Sequence, residues 1–476
     1  MEELSALSGT SSPEDSSLFG TLGTGAVALL TISAAAPLGA TVAVGPVAVI
    51  FGNGAGLPGA FFLTGLFLFC FAVGYSALAA EIPGNGAFYR YITVVFGHRV
   101  GMGTACVSLA SYLMMTAALA TLTGYFVDLS AQSFGIHIGA QAWIIMSMIA
   151  VAAFGIRNID VAAKVVVPLI ICEFGALSIL IIAIVAHKGI NSFPVEAVSP
   201  STVFSPGFGI SVMFALSAFV GVESAALYSA EAKNPKTAIP RATIIAVGLV
   251  GLFYFITFWA FIGDIGIDHV AAIAQKGLTD VNIQQSLFLD SFGKNLGPIA
   301  EKIISLMIAT SSFAAFLSLH NAATRYVFTL GDARILPRRF GVASAKAGSP
   351  ATASIAVSVF VAVVTLALII SRVDYVTAFA PTIALGTTGI IVLQGIVAFA
   401  TVFYFRRRKD PRIFTTFILP LIGFIGICSA FFLTLSNYDV LSGSSSTIIN
   451  SMPLVFILIF AYGCITGRGR SEKNAS

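Results

Sequence analysis

The 476-residue chain is short of charge: Asp, Glu, Lys and Arg make up 10% of it, where a soluble domain carries about 25%. That deficit excludes an ordinary soluble fold. The net charge of +4 is too small to imply nucleic acid, and the basic residues are spread between apolar runs instead of forming a patch. Cysteine is scarce. Cys70, Cys106, Cys172, Cys428 and Cys464 lie in or beside apolar runs, and none forms a C-x-x-C pair. Neither a disulfide framework nor a zinc site is therefore expected, and the five read as small buried hydrophobes. Of the five histidines only His320 nears an apolar run, without an H-x-x-x-H partner, so no metal site is expected. The glycine-rich stretch at 52–56 lacks the preceding strand that a phosphate cradle needs, and no cofactor is expected. The first 17 residues hold Glu2, Glu3, Glu14 and Asp15 and lack the basic and apolar regions of a cleaved signal peptide.

What is present is hydrocarbon. Apolar residues make up 57% of the chain, and the mean hydropathy is +0.96. The chain therefore reads as a polytopic, all-α membrane protein. A crossing helix needs about 20 mostly apolar residues. Twelve such stretches are expected: 22–50, 57–81, 100–127, 139–156, 162–186, 207–230, 242–263, 297–320, 351–371, 375–404, 413–435 and 449–466. The longest polar gap is 264–296. An even number of crossings puts both termini on one side. With the termini inside, Lys188, Lys276, Lys294, Lys302 and Arg372 fall outside, and the other twenty of the 25 basic residues fall inside. That asymmetry follows the positive-inside rule and supports both the count and the orientation, although the amino-terminal tail holds no Lys or Arg. The expected division is a cytoplasmic tail (1–19), a ten-helix core (20–410), two further helices (411–467) and a cytoplasmic carboxyl-terminal tail (468–476), in a plasma membrane.

Two crossings are irregular. The first is interrupted by Pro37, Gly39, Gly45 and Pro46, with Ser33 and Thr41 beside the break. Proline removes a backbone donor, and freed backbone groups survive in a bilayer only where protein, water or ligand satisfies them. An ordinary proline kink is the alternative. The sixth crossing carries Gly221 and Glu223 near its middle and ends in a polar turn with Glu231, Lys233, Asn234, Pro235, Lys236, Pro240 and Arg241. A carboxylate at mid-bilayer costs about 2.5–3.5 kcal/mol on insertion scales. Irregular helices five crossings apart point to an inverted-repeat transporter whose broken helices hold solute near the midplane. Amino ends of the half-helices suit an anionic group, and carboxyl ends suit an ammonium or a cation.

Four stretches carry a family resemblance. FVGVESAALYSAEAKNPKTAIPRA (219–242) resembles the Phe-x-Gly-x-Glu helix and Glu-x-x-x-Asn-Pro turn of the amino acid–polyamine–organocation permease superfamily. EIPGNGAFYRYI (81–92) is similar to its Pro-x-Gly-Gly-x-Tyr segment, with Asn85 between Gly84 and Gly86 and Phe88 near the first aromatic. NAATRYVFTLGDARILPRRFG (321–341) resembles its Arg- and Asp-bearing loop after the eighth helix, and YFRRRKD (404–410) the usual end of the tenth. The resemblance implies a leucine-transporter-like fold: a five-plus-five inverted repeat with discontinuous helices 1 and 6, followed by helices 11 and 12. In the first helix many members carry Gly-Ser-Gly or Gly-Thr-Gly, whose amides grip a substrate carboxylate. Here AAAPLGAT stands instead, and Pro37 supplies no donor.

The expected solute-binding residues are Ala35, Ala36, Pro37, Leu38, Gly39 and Thr41 in the first break, and Phe219, Val220, Gly221 and Glu223 in the second. Tyr112, mid-way along the third helix, joins them to close the site or simply packs. Phe219 is a candidate lid, on position alone. Two roles stand for Glu223: contact with a substrate amine, or a lock on the broken helix, which the resemblance favours. Glu173 lies about 13 Å into the fifth helix, with no basic residue within a turn. A lone carboxyl at that depth is disfavoured as an anion, which makes Glu173 the candidate carrier of a coupling proton. A protonated Glu bonded to a neighbouring helix is the plainer alternative. In some members of the superfamily a lysine of this helix takes the place of a sodium ion. Thr310, Ser311, Ser312 and Ser318 offer hydroxyls to a coupling ion, or serve as ordinary inter-helix bonds; Ser311 and Ser312 are the chosen pair. Lys164 reads as snorkelling to the interface. Glu231, Lys233, Asn234 and Arg241 read as a gating network.

The expected function is import of an amino acid or related amine by alternating access, coupled to a proton, with sodium as the alternative ion. The expected partners are that solute, the ion and membrane lipid, not nucleic acid; the oligomeric state stays open. An exchanger and a putrescine-type polyamine importer are the runners-up. A membrane-embedded enzyme is disfavoured, because the apolar runs contain essentially Glu173 and Glu223 alone. A nutrient sensor is expected to carry an added soluble domain, and no polar stretch here is long enough for one.

Overall fold

A computed structural model describes residues 20–473 except 83, 85, 158, 345–347 and 372–374. The expected tail at 1–19, Asn85, Lys346 and Arg372 lie outside the described residues, as do the side chains of Arg468, Arg470 and Lys473. Helices make up almost all of the described chain, and its single β-bridge pairs Leu22 with Ala232. The helices used below are α1 (Thr24–Ala35), α2 (Pro37–Phe51), α3 (Leu57–Glu81), α4 (Ala87–Phe96), α5 (His98–Ser133), α6 (Ala140–Gly155), α7 (Ile159–Lys188) and α8 (Phe208–Ala218). They continue with α9 (Pro235–Ile265), α10 (Ile267–Gly277), α11 (Val281–Leu296), α12 (Pro298–Asp332), α13 (Ala351–Ile370), α14 (Tyr375–Arg407), α15 (Leu419–Ser436) and α16 (Val455–Lys473).

Among the described residues ten helices are long and apolar enough to cross a bilayer, counting α1 and α2 as one interrupted unit. Two of the twelve expected crossings fall short. α6 has 16 residues, or about 24 Å at 1.5 Å per residue. The sixth crossing is helical only to Ala218 before it breaks. The polar gap at 264–296 is not a loop: α10 and α11 fill it. α4 likewise occupies a segment where no helix was expected, and its apolar face, with Ala87, Phe88, Tyr91 and Ile92, is buried.

The first crossing is broken, not kinked. Ala36 adopts a left-handed conformation (φ 46°), and Pro37 opens a second helix at its first position, where its missing N–H costs nothing and its fixed φ suits the start. The second break runs from Phe219 to Glu223, with Gly221 at φ +107°, a conformation open to glycine alone at little cost. One 3₁₀ segment, Ser224–Tyr228, follows before α9 begins at Pro235.

Helix packing sets the two breaks side by side. Gly65 of α3 and Gly251 of α9 bring their backbones into contact, and the Phe219 ring fills the notch they leave. Small residues at such crossings let helices approach where lipid supplies no hydrophobic drive. Outward faces carry Ile149, Ile182, Leu252, Val363, Phe432 and Ile457, all exposed, as a lipid-facing surface requires. Cys172 and Cys428 are also exposed, which corrects the expectation of buried cysteines: on a lipid-facing helix an apolar side chain needs no protein cover.

Gly221→Ala is expected to destabilise the protein by about 1–3 kcal/mol. The added Cβ would lie 2.8 Å from that of Ala34, and φ would stay strained. A thermal-unfolding scan in detergent checks this, with Gly175→Ala, which meets nothing within 4 Å, as the neutral comparison.

Candidate functional site

At the first break, the freed N–H groups that open α2 are taken by side chains from two other helices. The Leu38 amide donates to Glu173 Oε2 of α7 at 3.0 Å. The Gly39 amide donates to Ser311 Oγ of α12 at 3.2 Å. Glu173 is 1% exposed, and its Oε1 has no hydrogen-bond partner. At the second break, the Gly221 amide donates to Glu223 Oε2 at 3.0 Å, while Tyr112 Oη of α5 donates to Oε1 at 3.1 Å. Gln394 of α14 reaches Oε2 at 3.4 Å, and Tyr75 of α3 donates to the Glu223 carbonyl at 3.3 Å. Each break thus has one carboxyl as its cap. The Tyr254 hydroxyl of α9 stands between them, 3.4 Å from the Ala35 carbonyl and 3.2 Å from that of Ala218.

A cavity of about 840 Å³ starts at these breaks. Its floor is Ala34, Ala35, Ala36, Gly39, Ser217, Ala218 and Val220. Its walls are apolar, with Met115, Leu119, Leu122, Phe214, Ile308, Ala315 and Ile383. Its mouth includes Leu129, Asp439 and Ser445, which are exposed.

The opposite side is closed. Tyr75, Phe88, Tyr91, Tyr228 and Tyr326 lie there with at most 1% exposure. Behind them Arg325 of α12 forms a bidentate pair with Glu231 at 2.5 Å through Nε and Nη2, and its guanidinium lies 5.0 Å from the centre of the Tyr228 ring. Arg325 Nη1 also donates to the Asn321 carbonyl at 2.9 Å. The chain entering α1 is pinned across this layer: the Leu22 amide donates to the Glu231 carbonyl at 2.8 Å, and the Lys233 amide to the Leu22 carbonyl at 2.9 Å.

Of the residues singled out from sequence, Ala35, Ala36, Gly39, Val220 and Ser312 line the cavity. Glu173, Leu38 and Ser311 meet behind it as the cap on α2. Tyr112, Gly221 and Glu223 form the other cap. Pro37 is buried at the start of α2, and the Thr41 hydroxyl donates to its carbonyl. Phe219 packs edge-on against Tyr254, 5.3 Å between ring centres, away from the lining. Ser318 bonds Ser33 across α1 and α12, while the Thr310 hydroxyl turns back onto its own helix. The sequence reading missed Tyr254, Gln394 and Asp439. Tyr254 sits in the aromatic run FYF with nothing to mark it, and Asp439 lies in a polar connection whose place at the cavity mouth is a tertiary fact. Glu231 and Arg325 were each in view, but not as a pair.

The model of the amino acid permease family matches residues 22–462. The branched-chain amino acid permease BcaP of Lactococcus lactis subsp. cremoris is 25% identical over 296 residues, 58% of this chain and 60% of that protein. This chain therefore spans less than two thirds of that relative's length. The serine/threonine exchanger SteT of Bacillus subtilis is 22% identical over 375 residues, 78% of this chain and 81% of that one. A solved structure of a Na⁺-coupled sialic acid symporter in a substrate-bound outward-open state superposes with a TM-score of 0.53 at 14% identity, covering 87% of this chain and 90% of that one. At that identity the likeness concerns the fold alone.

Glu231→Gln would leave Arg325 buried without its counter-charge, a loss of about 3–5 kcal/mol for such pairs. The expected outcome is faster maleimide labelling of a cysteine placed at Ser33 in the variant than in the otherwise native chain. Equal labelling rates would show that the pair does not hold this layer shut.

Proposed function

The chain belongs to the amino acid permease family of the amino acid–polyamine–organocation superfamily, and from that premise we propose that it is a secondary active transporter importing an amino acid or related amine. It is a multi-pass membrane protein. The observation that carries the reading is the cavity that begins at two facing helix breaks, reaches one face, and is shut from the other by aromatic rings and the Glu231–Arg325 pair. This is one of the two states that alternating access needs. With the arginine-rich connections inside, the open face is the outer one. Both termini then lie in the cytoplasm, twelve crossings span a plasma membrane, and the first ten form two inverted repeats of five.

We further propose that the driving ion is a proton carried by Glu173. Its Oε2 accepts the Leu38 amide and its Oε1 is buried without a partner, so a proton on Oε1 leaves the cap on α2 intact. A sodium ion there would face the amino end of α2, whose partial positive charge repels cations. Loss of that proton adds a negative charge to the same Leu38–Glu173 bond and strengthens it without changing its partners, which ties ion movement to the helix that floors the cavity. Exchange is the second reading, favoured by the similarity to an exchanger over 78% of the chain.

In liposomes holding the purified protein, an inward proton gradient is expected to drive accumulation of radiolabelled solute above the external concentration. Glu173→Gln is expected to abolish accumulation while leaving counterflow, since Gln still offers an oxygen to Leu38. Accumulation that follows a sodium gradient, or an unchanged pH dependence in the variant, removes Glu173 from the role. Movement only when solute is present on both sides selects exchange.

A further inference from the structure

We propose that the solute of this site is an apolar primary amine lacking a carboxylate, and that zwitterionic amino acids are poor substrates. The inference rests on the transport reading above and narrows it. An α-carboxylate is held at a broken helix by free N–H groups at its amino end, and here they can be accounted for one by one. The Ala36 amide donates to the Ser33 carbonyl at 3.1 Å, and the Ala40 amide to the Ala36 carbonyl at 2.7 Å. Pro37 has no amide hydrogen. Leu38 is taken by Glu173 and Gly39 by Ser311. At the second break Gly221 is taken by Glu223. The protein's own oxygens occupy the seats that a substrate carboxylate would use.

The acceptors are in the opposite position. The Ala35 and Ala218 carbonyls both face the Tyr254 hydroxyl, which has one proton to give. One of the two is left over, and both residues line the cavity. They end α1 and α8, so two partially negative helix ends meet at the floor. The one charged side chain among the described lining residues is Asp439, a carboxylate at the mouth. No Lys, Arg or His joins it there. From mouth to floor the cavity therefore attracts a cation and repels a carboxylate. Leu119, Leu122, Phe214 and Ile308 in the walls favour a branched or aromatic hydrocarbon body.

The test uses the full chain in liposomes and pairs of compounds that differ only by the carboxylate: 3-methylbutylamine against leucine, and 2-phenylethylamine against phenylalanine. The half-saturating concentration in counterflow is expected to be at least about tenfold lower for each amine, the scale of one hydrogen bond to a charged group. An amino acid equal to or better than its amine overturns the inference and leaves the transport reading standing. Movement of none of the four overturns the transport reading and this one with it. Ser311→Ala releases the Gly39 amide into the cavity floor and is expected to shrink the amine preference about fivefold. An unchanged ratio in that variant contradicts the assignment of the amides.

Discussion

A peptide N–H left without an acceptor in hydrocarbon costs several kcal/mol, and this structure is arranged to meet that cost twice. Breaking the first crossing at Ala36 and the sixth at Phe219–Glu223 frees donors at the depth where water is scarcest. A carboxyl meets one donor in each place: Glu173 reaches in from α7, and Glu223 folds back from two residues downstream. The difference matters. Glu223 keeps both oxygens in hydrogen bonds, with Tyr112 and Gln394 from separate helices completing the set. Glu173 keeps one oxygen bare.

Because the side chains satisfy the breaks from behind, the cavity in front is free to be apolar. That division places the polar chemistry of the two caps on the far side of α1 and α8 and leaves carbonyl ends, small residues and hydrocarbon facing the solute. The same packing makes closure lopsided. Aromatic rings and a desolvated ion pair shut one face. Such a pair is weak as a source of stability but strong as a condition on geometry, because either charge alone in that layer is heavily penalised. A conformational change that separates Glu231 from Arg325 must bring water to both.

Much of this was legible in the residues. Hydropathy located the long helices, closely at 57–81 and 351–371 but seven residues late at the start of α9 and twelve short at the end of α12, because lipid imposes a composition only on the part of a helix that crosses it. Pro37 and Gly221 marked both breaks, since each residue type fits a conformation that an uninterrupted helix does not use. Glu173 and Glu223 stood out because a carboxyl in an apolar run has few innocuous explanations. α4, α10 and α11 were not legible, because helices too short or too polar to cross a bilayer draw their order from packing against other elements. Tyr254 was hidden among forty phenylalanines and twelve tyrosines.

The sequence by itself determined that the chain lives in a membrane, where two of its apolar helices fail, and which carboxyls lie in apolar runs. These follow from local chemistry: transfer energy, missing amide hydrogens and the freedom of glycine. Only the tertiary structure decided that the two failures adjoin and that the carboxyls cap amides behind the cavity. It also decided which face is open. Those outcomes depend on which helix stands beside which, and contacts such as Leu38 with Glu173, 135 positions apart, leave no trace in the spacing along the chain.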